Sequence, residues 1–195
     1  MIDKIKNLKN RYLPVQEMRI TAGADQARGN VKHGAIDIGV PVGTPIYAIA
    51  DGYIDKYSFH DQIYDGTNSK CGNQIVMLFE HDGSPTGYTW ANYCHLSAPA
   101  EGIKEGDFVR GGTLIGYSGG AKGAKGAGNT TGPHLHLRIQ LGDRGWNPKN
   151  AYSHLPETYE TWFDDASVPP YKAKKPLYAL LIGIPLALFF LRGKK

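Results

Sequence analysis

The chain has 195 residues, 25 of them glycine and 12 proline, with 41% hydrophobic and 21% charged. That length suits one domain with appendages rather than a repeat array or a two-domain enzyme; glycine at nearly twice its usual share, with no triplet period and ordinary charge, excludes collagen and charged disorder and suits short strands joined by many turns. Six of the 22 basic residues and no acidic one fall in 171–195, leaving 16 basic against 18 acidic residues in 1–170, so the domain carries no basic footprint and no nucleic-acid partner is expected.

In chain order, Met1–Leu13 is amphipathic but lacks the apolar run of a secretory signal, and residues 1–17 are read as an N-terminal extension. From Arg19 to Tyr152 the reading is almost entirely strand and turn, an all-β domain over 18–152. Its runs are Arg19–Ala22, Ala35–Val40, Ile46–Ala50, Gly52–Phe59, Asn73–His81, Gly87–Leu96, Asp107–Val109, Thr113–Tyr117 and His134–Leu141, separated by Gly, Pro, Asp and Asn. Gln74–His81 and Gly87–Leu96 read as a hairpin, which sets Gln74 or Ile75 opposite Cys94 and leaves Cys71 several residues out of register. Two cysteines cannot frame a disulfide core or a Cys-based zinc site. They are expected as partly buried free thiols, with a single bridge as the alternative. The glycine-rich stretch 119–129 lacks the Gly-Lys-Ser/Thr ending of a phosphate-binding loop.

Residues 153–176, with Pro156, Pro169, Pro170 and Pro176, read as a semi-rigid spacer whose aromatics Tyr159, Trp162 and Phe163 could instead pack back on the domain. Leu177–Leu191 has 15 residues without a charge, bracketed by Lys174 and Lys175 and by Arg192, Lys194 and Lys195. It is apolar all round and is predicted to be a C-terminal transmembrane helix. At about 22 Å it falls short of a ~30 Å hydrocarbon core unless its lysines snorkel or the bilayer thins. Residues 192–195 form a basic tail, and three basic residues on each side give no orientation.

The chemistry lies in the histidines. In His134–Leu141, Leu135, Leu137, Ile139 and Leu141 share one face of a strand and His134, His136, Arg138 and Gln140 the other, so the two imidazoles project together. In His33–Val40, Ile36, Ile38 and Val40 take the even positions and leave His33 and Asp37 together on the odd ones. Two histidines and a carboxylate are a common set for a catalytic zinc with one position left open. His60, His81 and His154 lack partner spacing and are read as surface or structural residues.

With its surroundings, this pattern resembles the lysostaphin-like (LytM-domain) zinc endopeptidases of bacterial cell walls. The resemblance rests on His33-Gly-Ala-Ile-Asp37 followed by GVPVGTPIYAIADGYI, on YCHLS around His95, on GDFVRGGTLIGYSG, on TTGPHLHLRI and on WNPKNAY, in that order over Met18–Tyr152. It implies a mainly antiparallel sheet lining a groove, zinc bound by His33, Asp37 and His136, and His95 and His134 as catalytic histidines that do not bind the metal. Such histidines serve as general base or hydrogen-bond the tetrahedral intermediate. Arg28 and Asn30 are groove candidates in a stretch that does not align securely, and 119–129, longer than usual, is expected to form a mobile groove wall or a solvated insertion.

The implied function is hydrolysis of peptide cross-links in peptidoglycan. The alternatives are an idle wall-binding or assembly module of the same fold, a bacterial envelope hydrolase, and a peptidase acting on a protein. Because the substrate lies outside the cytoplasmic membrane and the apolar segment is C-terminal, the expected setting is the membrane of a phage particle. The domain would there be a virion-associated lytic enzyme with the lipid bilayer and virion structural proteins as partners; the bond cleaved is not read from the sequence.

Overall fold

The computed structural model describes residues 11–80 and 88–141 together with Phe163, Ala166, Val168 and Pro169. His81, His154, most of the expected spacer, the anchor 177–191 and the basic tail lie outside the described residues. Among the described residues no helix is long and apolar enough to cross a membrane.

Short strands dominate, as the β-branched runs and turn residues require. They are β1 (Ile20–Ala22), β2 (Ala27–Arg28), β3 (Val31–Lys32), β4 (Ile36–Ile38), β5 (Pro45–Tyr47), β6 (Gly52–Ser58), β7 (Gln74–Glu80), β8 (Tyr88–Cys94), β9 (Leu96–Pro99), β10 (Phe108–Val109), β11 (Leu114–Ser118) and β12 (Leu135–Leu141). A seven-stranded sheet runs in the order β1-β4-β12-β8-β7-β6-β10, a three-stranded sheet in the order β5-β11-β9, and β2 and β3 form a separate hairpin. Each described pairing is antiparallel.

Alternation explains the layering. Ile75, Met77 and Phe79 of β7, Ala91 and Tyr93 of β8, and Leu135, Leu137 and Ile139 of β12 are buried in one cluster with Ile46 and Ile115 of the small sheet. The opposite face of β12 carries His136, Arg138 and Gln140. Tyr93 is fully buried and accepts a hydrogen bond from Ile49 N at 3.0 Å, which satisfies its hydroxyl within the apolar core.

Several boundaries differ from the sequence reading. Tyr12 N donates to Ile49 O, Tyr47 N donates to Pro14 O, and Val15 is buried in the core, so the fold is already under way at Tyr12. Phe163 packs into the same core, the alternative noted for the aromatics of the spacer. The run Gly87–Leu96 is two strands in different sheets. His95 breaks it with φ +62, the one positive φ among the described non-glycine residues, and sends β9 away from β8.

Cys71 and Cys94 are joined in a disulfide, with Cα atoms 4.8 Å apart, and are not free thiols. The hairpin register is the expected one, Gln74 pairing with Cys94. What the register did not contain is the turn before β7. Gly72, at φ +62, folds the chain back so that His95 N donates to Cys71 O at 2.9 Å, which places Cys71 beside Cys94.

Candidate active site

β12 lies between β4 and β8, and its register sets His136 opposite Asp37 on one side and Cys94 on the other. Three of the five sequence candidates are thereby fixed by two ladders: Asp37, His136, and His95 one residue past Cys94. His134 stands just before β12, in a bridge to Gly119. His33 precedes β4 and reaches the site by a different route from the expected one. Gly34, at φ +68, turns the chain, so His33 and Asp37 converge through a turn and not as alternate residues of one strand. His33 N donating to Gln26 O and Gly34 N donating to Ala24 O hold that turn against the stretch that ends in β2.

Backbone carbonyls set the ring orientations. A carbonyl can only accept, so the nitrogen facing it carries the proton. His33 Nδ1 donates to Gly23 O at 3.1 Å, His95 Nδ1 to Ala127 O at 2.7 Å, and His134 Nδ1 to Gly132 O at 2.8 Å. All three rings therefore leave Nε2 for the site. His136 uses its other nitrogen: Nδ1 lies 2.9 Å from Asp37 Oδ1 and 3.2 Å from His33 Nε2, and His33 Nε2 lies 3.3 Å from Asp37 Oδ1. Arg28, half-exposed on β2, donates from Nη2 to the other carboxylate oxygen, Oδ2, at 3.1 Å, leaving Oδ1 turned to the histidines.

These distances test whether the residues fit a metal. A tetrahedral zinc with bonds of ~2.0 Å has ligand-to-ligand edges of about 3.3 Å. The observed triangle of 2.9, 3.2 and 3.3 Å matches that size. Its donor set of two imidazoles and one carboxylate is the three-ligand set of catalytic zinc sites. Burial alone would raise the Asp37 carboxyl, but hydrogen bonds and charge from His136 and His33 outweigh it and hold the group well below the usual carboxylate range. Burial also lowers His136, against the opposing pull of Asp37. A carboxylate that stays ionised, beside an imidazole at His136 that burial pushes toward its neutral form, is the protonation state in which both kinds of group bind a metal.

His134 and His95 flank this triangle. Their ring centroids are 4.7 Å apart, His95 and His136 are 5.7 Å apart, and His134 Nε2 is 3.5 Å from Asp37 Oδ1. Burial, reinforced by the charges of His134 and His136, pushes His95 down to about 4. Its strained backbone costs on the order of 1–3 kcal/mol. Such a conformation persists here because His95 N and Leu96 N donate to Cys71 O and Asn73 O.

The site opens into a groove of about 850 Å³ bordered by Arg28, Lys32, Lys70, Asn129 and Thr130 among others. Of the two groove candidates, Arg28 lines it, whereas Asn30 is exposed in the β2–β3 turn. The stretch 119–129 is exposed at Lys122–Lys125 but buried at Gly119 and Gly120 and again at Gly126, Ala127 and Gly128, so the expectation of a solvated insertion describes only its middle. Sequence reasoning missed Thr130, whose Oγ1 stands 2.9 Å from both Gly120 O and Gly132 O, and the carbonyls of Gly23, Ala127 and Gly132. The Thr-Thr-Gly-Pro run before His134 was the available signal for Thr130; a carbonyl leaves none.

Residues 31–148 match the model of peptidase family M23. Over 155 residues the chain is 36% identical to the DD-carboxypeptidase/endopeptidase Mpg of Neisseria meningitidis serogroup B, covering 79% of this chain and 30% of that protein. The catalytic domain of the antimicrobial peptidase lysostaphin from Staphylococcus simulans superposes with a TM-score of 0.52 at 26% identity, covering 72% of this chain and 91% of that one. A zinc-containing peptidase from Vibrio cholerae superposes with a TM-score of 0.51 at 29% identity, covering 69% and 37%. The chain thus spans less than a third of the length of its Neisseria relative. With the family's pattern spread over the strands and turns that build this site, the chain belongs to peptidase family M23, a family of zinc-dependent metallopeptidases.

Proposed function

We propose that the chain is a zinc endopeptidase that hydrolyses peptide bonds in bacterial peptidoglycan. The observation that carries this reading is the triangle of His33 Nε2, Asp37 Oδ1 and His136 Nδ1, matched in size and donor type to a catalytic zinc. These three residues would hold the ion, which when bound polarises a carbonyl and makes water nucleophilic near neutral pH. Arg28 keeps Asp37 turned so that Oδ1 serves the site. His134, with Nδ1 committed to Gly132 O, accepts the proton of the attacking water at Nε2 and returns it to the leaving amine. His95 is neutral at working pH, so its Nε2 is at rest an acceptor that orients water, and it donates to developing negative charge only after taking up a proton. A groove of about 850 Å³ opening beside the triangle supports a peptide substrate, and the cell-wall substrate follows the resemblance carried by the spaced sequence blocks.

The test is release of new amino groups from purified cell walls with and without chelator. Chelator-sensitive, zinc-restored release is expected. Zinc bound without any release would favour the wall-binding module instead.

The run 177–191 supports a second part of the reading, that a membrane anchor tethers the enzyme to a phage particle containing a bilayer. Co-purification with virions and extraction only by detergent are expected. Recovery solely in the envelopes of uninfected cells would overturn it.

A further inference from the structure

The turn Cys71–Gly72–Asn73 supports His95 from two directions. The disulfide ties Cys71 to Cys94, the residue before His95, and Cys71 O accepts from His95 N. The same turn carries the segment that orients the ring. Asn73 N donates to Gly126 O at 2.7 Å and Asn129 N donates to Lys70 O at 2.8 Å. Between those two bonds lies Ala127, whose carbonyl accepts the His95 Nδ1 proton. The packing is tight: a Cβ at Gly72 would stand 2.2 Å from Gly126 O and 2.4 Å from Gly128 N. The β7–β8 ladder, running from Gln74–Cys94 to Glu80–Tyr88, holds the two strands without the bridge. What the bridge adds is a covalent tie for the turn, which lies beyond the ladder's last pair.

We infer that the Cys71–Cys94 disulfide is a positioning element for His95, so that the peptidase assigned above is active in oxidising surroundings and is slowed when the bond is reduced while its metal site stays intact. Cys94 is fully buried whereas Cys71 borders the groove, so a reductant meets Cys71 first. A dithiol supplies two electrons and two protons. Its thiolate attacks the Cys71 sulfur, the Cys94 sulfur leaves and is protonated, and the second thiol resolves the mixed disulfide. The products are two protein thiols and the oxidised reductant. Without the tie, the turn and the 126–129 segment it carries shift away from His95, and the ring loses its fixed tautomer.

The experiment uses the zinc-loaded full chain in detergent, oxidised or reduced by a phosphine so that no dithiol competes for zinc, with reduction confirmed by intact mass. On reduction kcat is expected to fall about 10–100-fold, as on loss of an orienting partner, with KM and zinc content little changed. Nitrogen-15 NMR is expected to show His95 passing from one Nδ1–H tautomer to a mixture, amide exchange to quicken at 126–129, and re-oxidation by glutathione disulfide to restore both. Gly72→Ala, which keeps the disulfide but wedges the turn from Gly126, should give the same losses. An unchanged kcat or His95 tautomer, zinc lost in step with activity, or global unfolding on reduction would each overturn the inference. If the oxidised chain cleaves no wall substrate, the functional assignment fails, while the tautomer and exchange measurements still decide this one.

Discussion

Zinc removal should expose how far the site is preformed. In the metal-free chain the three ligand atoms already stand 2.9, 3.2 and 3.3 Å apart, held by hydrogen bonds among His33, Asp37 and His136, so the triangle is formed before a cation enters it. Binding to the folded state alone stabilises by linkage, about 4.1 kcal/mol when free zinc is 1,000 times Kd. With ~2–4 °C per kcal/mol for a domain of this size, zinc should raise Tm by roughly 8–16 °C. Asp37→Asn removes the charge and one ligand while preserving volume. Its Tm should not respond to zinc, and its metal-free Tm should lie below that of the metal-free wild type, because the ionised carboxylate that His136, His33 and Arg28 favour is gone. Differential scanning calorimetry with buffered zinc and with chelator measures both. The same zinc shift in wild type and Asp37→Asn would refute the reasoning.

Other outcomes follow from single contacts. Tyr93→Phe leaves Ile49 N without its 3.0 Å acceptor in the core and should cost about 1–3 kcal/mol in urea unfolding; an unchanged midpoint would contradict that role. Because His95 is lowered to about 4 in the fold, the unfolded chain binds its proton first. Stability should therefore be lost as pH falls from about 6.5 to about 4, by on the order of 3 kcal/mol in metal-free protein. His95→Asn, which tolerates the positive φ, should flatten that slope, and an equal slope would contradict the assignment. In Gly119→Ala the new Cβ would stand 2.7 Å from His95 O and 2.9 Å from Ser97 N. The variant should lose about 1–3 kcal/mol of stability together with kcat, and wild-type turnover would count against a fixed His95 backbone.

The sequence was most legible where alternation and register coincide. The pairing of Gln74 with Cys94 follows from strand periodicity alone, whereas His134, read as sharing a strand face with His136, stands just before β12 in a bridge to Gly119 and approaches Asp37 beside it. The convergence of His33 with Asp37 was read correctly but by the wrong route, since Gly34 at φ +68 substitutes a turn for a strand. His95 was seen as a candidate, yet its left-handed backbone was not, because positive φ is uncommon even for histidine and the run Gly87–Leu96 looks continuous. Cys71 reached Cys94 through Gly72, a conformation that strand counting cannot supply. The carbonyls of Gly23, Ala127 and Gly132 were illegible in principle, because the backbone offers the same acceptor at every residue.

The central claim is that metal binding and proton transfer fall on different histidines, and His134→Ala tests it most directly. Bound zinc and amino-group release from cell walls are measured on the same sample, beside His136→Ala. His134→Ala should retain about one zinc per chain and lose hydrolysis, while His136→Ala should lose both. A His134→Ala chain that hydrolyses walls at the wild-type rate, or that loses its zinc as His136→Ala does, would contradict it.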